Sequence, residues 1–225
     1  MPKILSVNVS YPKEVDFEGQ KVTTGIFKEP IESRVKLRTL NLDGDKQADL
    51  TVHGGPDKAV YAYPSEHYEF WHKVYPNIIM PNGMFGENFT TEGLMESEVN
   101  VGDVFRIGSA KVIATQPRMP CYKLGVKFGR MDVLKKFLAS GRSGIYFKVL
   151  EEGEVGAGDL IVKIKNDTNR VGISDIVRLY ASDREDIKTM RRAVKVEALP
   201  EGWKDYFYEQ IRRVEKRRMS FGIDL

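Results

Sequence analysis

Cysteine is almost missing from this chain: Cys121 is the only one in 225 residues. An internal disulfide framework is therefore excluded, and cysteine usage gives no sign of an oxidising compartment. Long apolar runs are also missing. None approaches the roughly 18 residues of a membrane span, and Met1–Val7 is too short to be the apolar core of a signal peptide. The expectation is a cytoplasmic protein with no membrane partner. Charge of one sign is scarce as well, since 35 Lys and Arg against 32 Asp and Glu leave a net +3. That balance argues against a nucleic acid polymer as partner, and Arg212, Arg213 and Lys216 to Arg218 read as a solvated helix face. Neither a Walker spacing nor a G-x-G-x-x-G in strand–helix context is present, so no nucleotide P-loop and no nicotinamide or flavin fingerprint can be assigned.

What is present suits a soluble globular protein able to bury a core, at 41% hydrophobic and 30% charged. The length fits one large domain, or one domain with a small appendage. The first half reads as strands over 3–9, 21–27 and 33–38, then 59–63 ending at Pro64, with alternation or β-branched enrichment in each. Ser65 is placed to cap a helix through Val74, on which His67 and His72 read as surface or packing residues. Strands at 104–107 and 110–115 are joined by a Gly108-Ser109 hairpin turn, and helical patterns cover 123–128 and 131–138. Strands return at 144–150 and 159–164, with a turn between them. The pattern predicts a mostly β fold, an antiparallel sheet curling into a closed or partly open barrel with peripheral helices, over residues 1–168. Over 169–225 it predicts a small three-helix domain with a loose tail. Those helices are capped by Ser174 and Asp183 and opened by Pro200, and they offer a surface for pairing with a second copy.

Three stretches carry chemistry-bearing residues. In Gln116-Pro117-Arg118-Met119-Pro120-Cys121, two prolines fix φ and bias Gln116 and Met119 away from the α region. The thiol thus sits on a rigid approach at a strand end, either as a small buried hydrophobe or as a placed reactive group. Residues 42–61 are rich in Asp, Gly and Pro and long for a connector. Asp45, Asp49 and His53 stand four apart, but Gly44, Gly54 and Gly55 argue against the helix that would gather them around a metal. Gly54 and Gly55 allow backbone N–H groups to approach an anion, with Lys58 close by. The third stretch, Asn82–Thr90, is either a turn that packs an aromatic or a loop that lays Glu87 and Asn88 along a pocket wall.

Taken together, Gly25–Pro30, Gly44–Asp49, His53–Val60, Gly86-Glu87-Asn88 and Gln116–Cys121 resemble the MOSC domain (molybdenum cofactor sulfurase C-terminal domain). The likeness continues through Glu151-Glu152-Gly153 and Gly158-Asp159, and the helical tail resembles the 3-alpha domain of the bacterial YiiM-like subgroup. The resemblance implies a molybdenum–pterin cofactor with Cys121 as metal ligand, a soft thiolate suited to a redox metal. Lys28, Arg34, Lys58 and Arg118 would then face the pterin phosphate, with backbone from Gly54 and Gly55, while Glu87 and Asn88 would line the cofactor pocket. Arg118 is also close enough in sequence to favour the thiolate. The implied reaction is reduction of N-hydroxylated compounds, such as N-hydroxylated purine bases and hydroxylamines, to the amine, with oxygen leaving as water. Electrons would come from a partner reductase protein, and protons through Asp49, His53 or Glu87, with His53 favoured by its pKa range. Two alternatives remain. One is a carrier of the cofactor or of sulfur without turnover, although no pyridoxal-phosphate-binding domain accompanies the chain. The other is a metal-free hydrolase using Cys121 and His53.

Overall fold

β-Branched and aromatic residues in short alternating runs build most of the fold. A computed structural model of the chain describes residues 1–46 and 54–220. Twelve strands are present among them: β1 (Lys3–Val9), β2 (Lys13–Phe17), β3 (Gln20–Thr24), β4 (Glu29–Ile31), β5 (Val35–Leu37), β6 (Val60–Pro64), β7 (Phe89–Glu92), β8 (Val104–Ile107), β9 (Ala110–Pro117), β10 (Ile145–Glu151), β11 (Gly153–Val155) and β12 (Ile161–Lys165). The helices are α1 (Glu66–Val74), α2 (Tyr122–Phe128), α3 (Asp132–Ser140), α4 (Ile173–Ala181), α5 (Ile187–Ala193) and α6 (Glu201–Ser220), with a short 3-10 turn at Pro56–Lys58.

Eight strands share one sheet in the order β12-β8-β9-β10-β6-β7-β1-β4. The expected antiparallel barrel is corrected in two respects. First, β6 and β7 run parallel, Ala62 facing Phe89, because the chain crosses over through α1 before re-entering the sheet. Second, the ladder does not close. An isolated bridge, Lys3 with Leu160, joins β1 to the segment before β12. Ile161 N–H donates to Pro2 O at 2.8 Å, Ile4 N–H to Asp159 O at 2.9 Å and Gly158 N–H to Ile4 O at 2.8 Å, but no continuous ladder forms there. The result is a curled, mixed sheet with several helices. β2–β3 is a separate hairpin, and β11 pairs with β5 across what the sequence reads as a plain turn.

Helix starts differ from the expected caps. The Ser65 hydroxyl makes no cap bond to α1. α4 starts after Gly172, whose N–H donates to Asp175 at 3.0 Å, and α5 is capped by Asp186, which accepts from Thr189 N–H at 2.9 Å. Asp183 instead pairs with Arg178. Side-chain geometry decides which nearby polar residue reaches the orphan amides, and sequence proximity alone does not.

Two cores result. One is largely aliphatic and runs from the sheet (Ile4, Val112, Ile145) into the C-terminal helices (Ile176, Met190, Phe207). The other is aromatic and packs Tyr63, Trp71, Phe85, Phe128 and Phe137 beneath α1, α2 and α3. Among the described residues no helix is long and apolar enough to cross a membrane.

Candidate functional site

β9 ends where the thiol begins. Its last residues, Gln116 and Pro117, pair with Tyr146 and Ile145 of β10, so the following extended turn leaves a fixed strand end. Cys121 has extended backbone, φ −124° and ψ 164°, and is the residue before α2. Leu124 N–H donates to its carbonyl at 2.9 Å. The side chain is half-buried. Arg118 folds back into the protein instead of facing solvent: it is buried, donates to Phe85 O, and lies over the Tyr61 ring at 5.0 Å.

Cys121 opens onto a cleft of about 560 Å³, part of it open to solvent. Five cationic side chains line it, Lys28, Lys46, Lys58, Arg118 and Lys123, and among the described residues no carboxylate does. Two phenols, Tyr61 and Tyr146, complete the wall. Burial raises the pKa of both, so they stay neutral at ordinary pH.

Two of the lysines, Lys28 and Lys58, are braced from behind the cleft. Lys28 is buried and ion-paired with Asp45; burial lowers its pKa, and Asp45 opposes that. Asp45 also accepts from Ser10 N–H and Asn88 Nδ2, both at 2.9 Å. Asn88 in turn accepts from Tyr61 N–H at 3.1 Å and donates its own N–H to Tyr61 O at 2.8 Å. Lys58 ends the 3-10 turn, which is pinned where the Thr115 hydroxyl donates to Asp57 O at 2.7 Å. Burial also lowers the Lys58 pKa, opposed by Asp57 and by Cys121, so the lysine and the thiol share one electrostatic environment.

The glycine-rich stretch does both things the sequence allows. Phe85 packs into the aromatic core, while Gly86 and Asn88 line the cleft. Gly86 has φ of 74°, and a Cβ there would stand 2.7 Å from Ile26 Cγ1, so the close approach requires glycine. Glu87 points the other way, fully buried. It accepts from the Tyr68 hydroxyl, Gly83 N–H at 2.8 Å, Phe85 N–H at 2.9 Å and Thr90 Oγ1 at 2.9 Å. Burial pushes its pKa up against those bonds.

The structure thus brings Cys121, Lys28, Lys58, Asn88 and Arg118 together. Gly54 and Gly55 line a neighbouring cleft that shares Lys58. Arg34 is not a lining residue; its guanidinium is tied to Asp159 at 2.8 and 2.9 Å. Asp49 and His53 lie outside the described residues. The sequence reading missed Lys46, Lys123, Tyr61 and Tyr146. Lys123 had a usable signal, because it follows the cysteine by two places at the start of a helix.

Five cations and a thiol, with no carboxylate beside them among the described residues, can hold a multiply charged anion against a thiolate-bound metal. That donor set fits a molybdenum–pterin group, whose phosphate needs cations and whose metal takes a thiolate.

The family model for the MOSC domain matches residues 49–162, and that for the YiiM-like, 3-alpha helix domain matches residues 171–213. The protein YflK of Bacillus subtilis is 40% identical over 94% of the chain and 95% of its own length. A protein of Gibberella moniliformis named "Reductase" is 28% identical over 72% of the chain and 29% of its own length. The crystal structure of YiiM from Geobacillus stearothermophilus superposes with a TM-score of 0.79 at 34% identity, covering 94% of this chain and all of that one.

Proposed function

This chain belongs to the MOSC-domain family and carries the YiiM-like three-helix domain, and from that premise we propose a molybdenum–pterin-dependent reductase of N-hydroxylated compounds. The observation that carries the reading is the cleft in which one thiol stands among five cations. The reductase name of a distant relative supports it.

When bound, the cofactor would supply the two-electron couple and the oxygen affinity that the chain lacks. Cys121 would hold the metal as a thiolate. Arg118, Lys28, Lys46, Lys58 and Lys123 would balance the pterin phosphate, with Arg118 locked by Phe85 O and Lys28 by Asp45. Tyr61 and Tyr146 would keep the metal side dry and neutral. Proton delivery falls to His53 or Asp49, since Glu87 faces the aromatic core and not the cleft. No nicotinamide or flavin fingerprint occurs in the chain, so electrons would reach the site from a partner reductase.

Protein purified from a host that makes the cofactor is expected to contain molybdenum and pterin, and Cys121→Ser to lose the metal while its circular dichroism is unchanged. Metal kept at full occupancy in that variant overturns the ligand assignment. Loaded protein that fails to reduce an N-hydroxylated purine with a chemical electron donor points instead to a carrier.

A further inference from the structure

Three consecutive residues tie the end of β9 to three different parts of the molecule. The Thr115 hydroxyl donates to Asp57 O at 2.7 Å, which joins the strand to the turn carrying Lys58. Gln116 Oε1 accepts from the Trp203 indole N–H at 3.0 Å, which joins it to α6. Pro117 makes the last pairing of the strand, with Ile145 of β10. Beyond it, residues 118–121 leave the sheet and carry Arg118 and Cys121 into the cation cleft.

The sheet alone holds this strand end loosely. Its register with β10 shifts between Ala114 and Gln116, opposite Phe147 and Tyr146, so Thr115 has no partner in the ladder. Such a shift interrupts the backbone bonds and re-aims the neighbouring side chains. What fixes the strand there is the set of side-chain bonds that Thr115 and Gln116 make outside the sheet.

Trp203 is a rigid partner for Gln116. Its ring stacks on fully buried Phe207 at 5.8 Å and meets Tyr180 edge-on at 5.6 Å and 82°. Its backbone N–H donates to Pro200 O at 2.9 Å. Gln116 is itself buried, so its side-chain carbonyl has exchanged water for the indole, and removing the indole N–H leaves a buried acceptor unsatisfied. Neither residue lines the cation cleft, although both border the neighbouring one. Any influence they have on the cation cleft is exerted at one remove.

We propose that Trp203 is a positioning residue: through Gln116 it sets the strand end from which Arg118 and Cys121 enter the cleft. The three-helix domain then governs how firmly the cleft holds an anion, in addition to filling out the core. The proposal rests on the cofactor reading for what the cleft holds, but the positioning is measured with an inorganic anion.

The test is a double-mutant cycle on the full chain, read by calorimetry with pyrophosphate as probe. Trp203→Phe keeps an aromatic ring and removes the N–H; Gln116→Leu keeps the volume and removes the acceptor. Each should weaken pyrophosphate binding about fivefold, the worth of one buried hydrogen bond. The double variant should be no weaker than either single, because both remove the same bond. Met190→Ala is the control for simple loss of stability: Met190 is fully buried on α5 and takes no part in the bond. It should lower the melting temperature and leave pyrophosphate affinity unchanged. If it does not fold, the cycle decides alone. Losses that multiply to about 25-fold in the double variant overturn the proposal. So does wild-type affinity in both singles, weakened binding in Met190→Ala, or a wild-type chain that binds no pyrophosphate.

Protein from a host that makes the cofactor gives a second readout, and Trp203→Phe should retain less molybdenum than wild type. Molybdenum in the wild-type chain, with pyrophosphate binding intact in both variants, sinks the positioning and leaves the cofactor. Coupled loss of pyrophosphate binding, with no molybdenum in the wild-type chain, sinks the cofactor and leaves the positioning.

Discussion

The two cores of this molecule differ in what they ask of their side chains. In the aliphatic core, branched residues from the sheet and the C-terminal helices interlock without polar atoms, as where Val112 and Ile176 share one cluster. Such a core needs volume and pattern, and tolerates exchange. The aromatic core is tied by polar tips. Trp71 Nε1 donates to Tyr63 Oη at 2.7 Å, Tyr61 Oη donates to Ser143 O at 2.7 Å, and Tyr68 donates to Glu87. Tyr61 belongs to this core and to the cleft wall at once. The residues that position cations are therefore set by fixed ring geometry, while the aliphatic core supports the fold at large.

Truncating one ring on each side should separate these roles most sharply. Phe85 is fully buried, stacks on Tyr63 at 4.3 Å, and offers its carbonyl to Arg118. Phe105 is buried on the other side, edge-on to Phe147 at 5.8 Å. Phe85→Ala and Phe105→Ala should each cost about 3–5 kcal/mol in urea unfolding. Only Phe85→Ala should also weaken pyrophosphate binding to the cation cleft. Equal weakening by both variants would mean that the two cores do not divide their work.

The aliphatic side was the more legible in sequence. Periodicity located β1, β9 and β10 within a residue or two, because alternate residues such as Val112, Ala114, Ile145 and Phe147 face one core. β6, in contrast, is buried throughout, with Val60 and Ala62 in one core and Tyr61 and Tyr63 in the other. β2, by contrast, is exposed or half-exposed throughout, so it carries no burial pattern and was missed. The parallel pairing of β6 and β7 was equally hidden, since no local pattern states which strand lies beside which. At the site, the two prolines and the surrounding motifs made Cys121 and Arg118 legible. Residue type could not tell Lys28, which turns to Asp45 at the cleft, from Arg34, which turns to Asp159 away from it. The carboxylate of Glu87 gave no sign of its direction, because four donors from its own loop and neighbours draw it inward.

A smaller effect is expected behind the cleft, where Lys127 bonds Ile26 O at 3.2 Å and Gly83 O at 3.1 Å. Burial lowers its pKa from 10.5 to about 8. A lysine depressed in the folded state contributes stability that is present above its unfolded value of 10.5 and lost as pH falls through about 8. Between pH 10.5 and 7, Lys127→Met should therefore gain roughly 2 kcal/mol relative to wild type, allowing for partial exposure. A stability difference independent of pH in urea titrations would remove Lys127 as a strained charge on the aromatic side.

The smallest predicted effect lies where the two cores meet. Thr115 sits on β9, and its hydroxyl donates to Asp57 O at 2.7 Å with Tyr146 O 3.1 Å away. Asp57 precedes Lys58, the lysine shared by both clefts. Thr115→Val keeps shape and β propensity but removes the hydrogen bond that ties that turn to the strand leading to Cys121. The loss should be about 1 kcal/mol in unfolding, the worth of one buried hydrogen bond. Its effect on binding should be disproportionate, because a turn released by one bond moves the lysine without disturbing either core. Weaker pyrophosphate binding at near-native stability would tie the cation cleft to one positioned lysine. Unchanged pyrophosphate binding would show that the Thr115 bond does not set the position of Lys58.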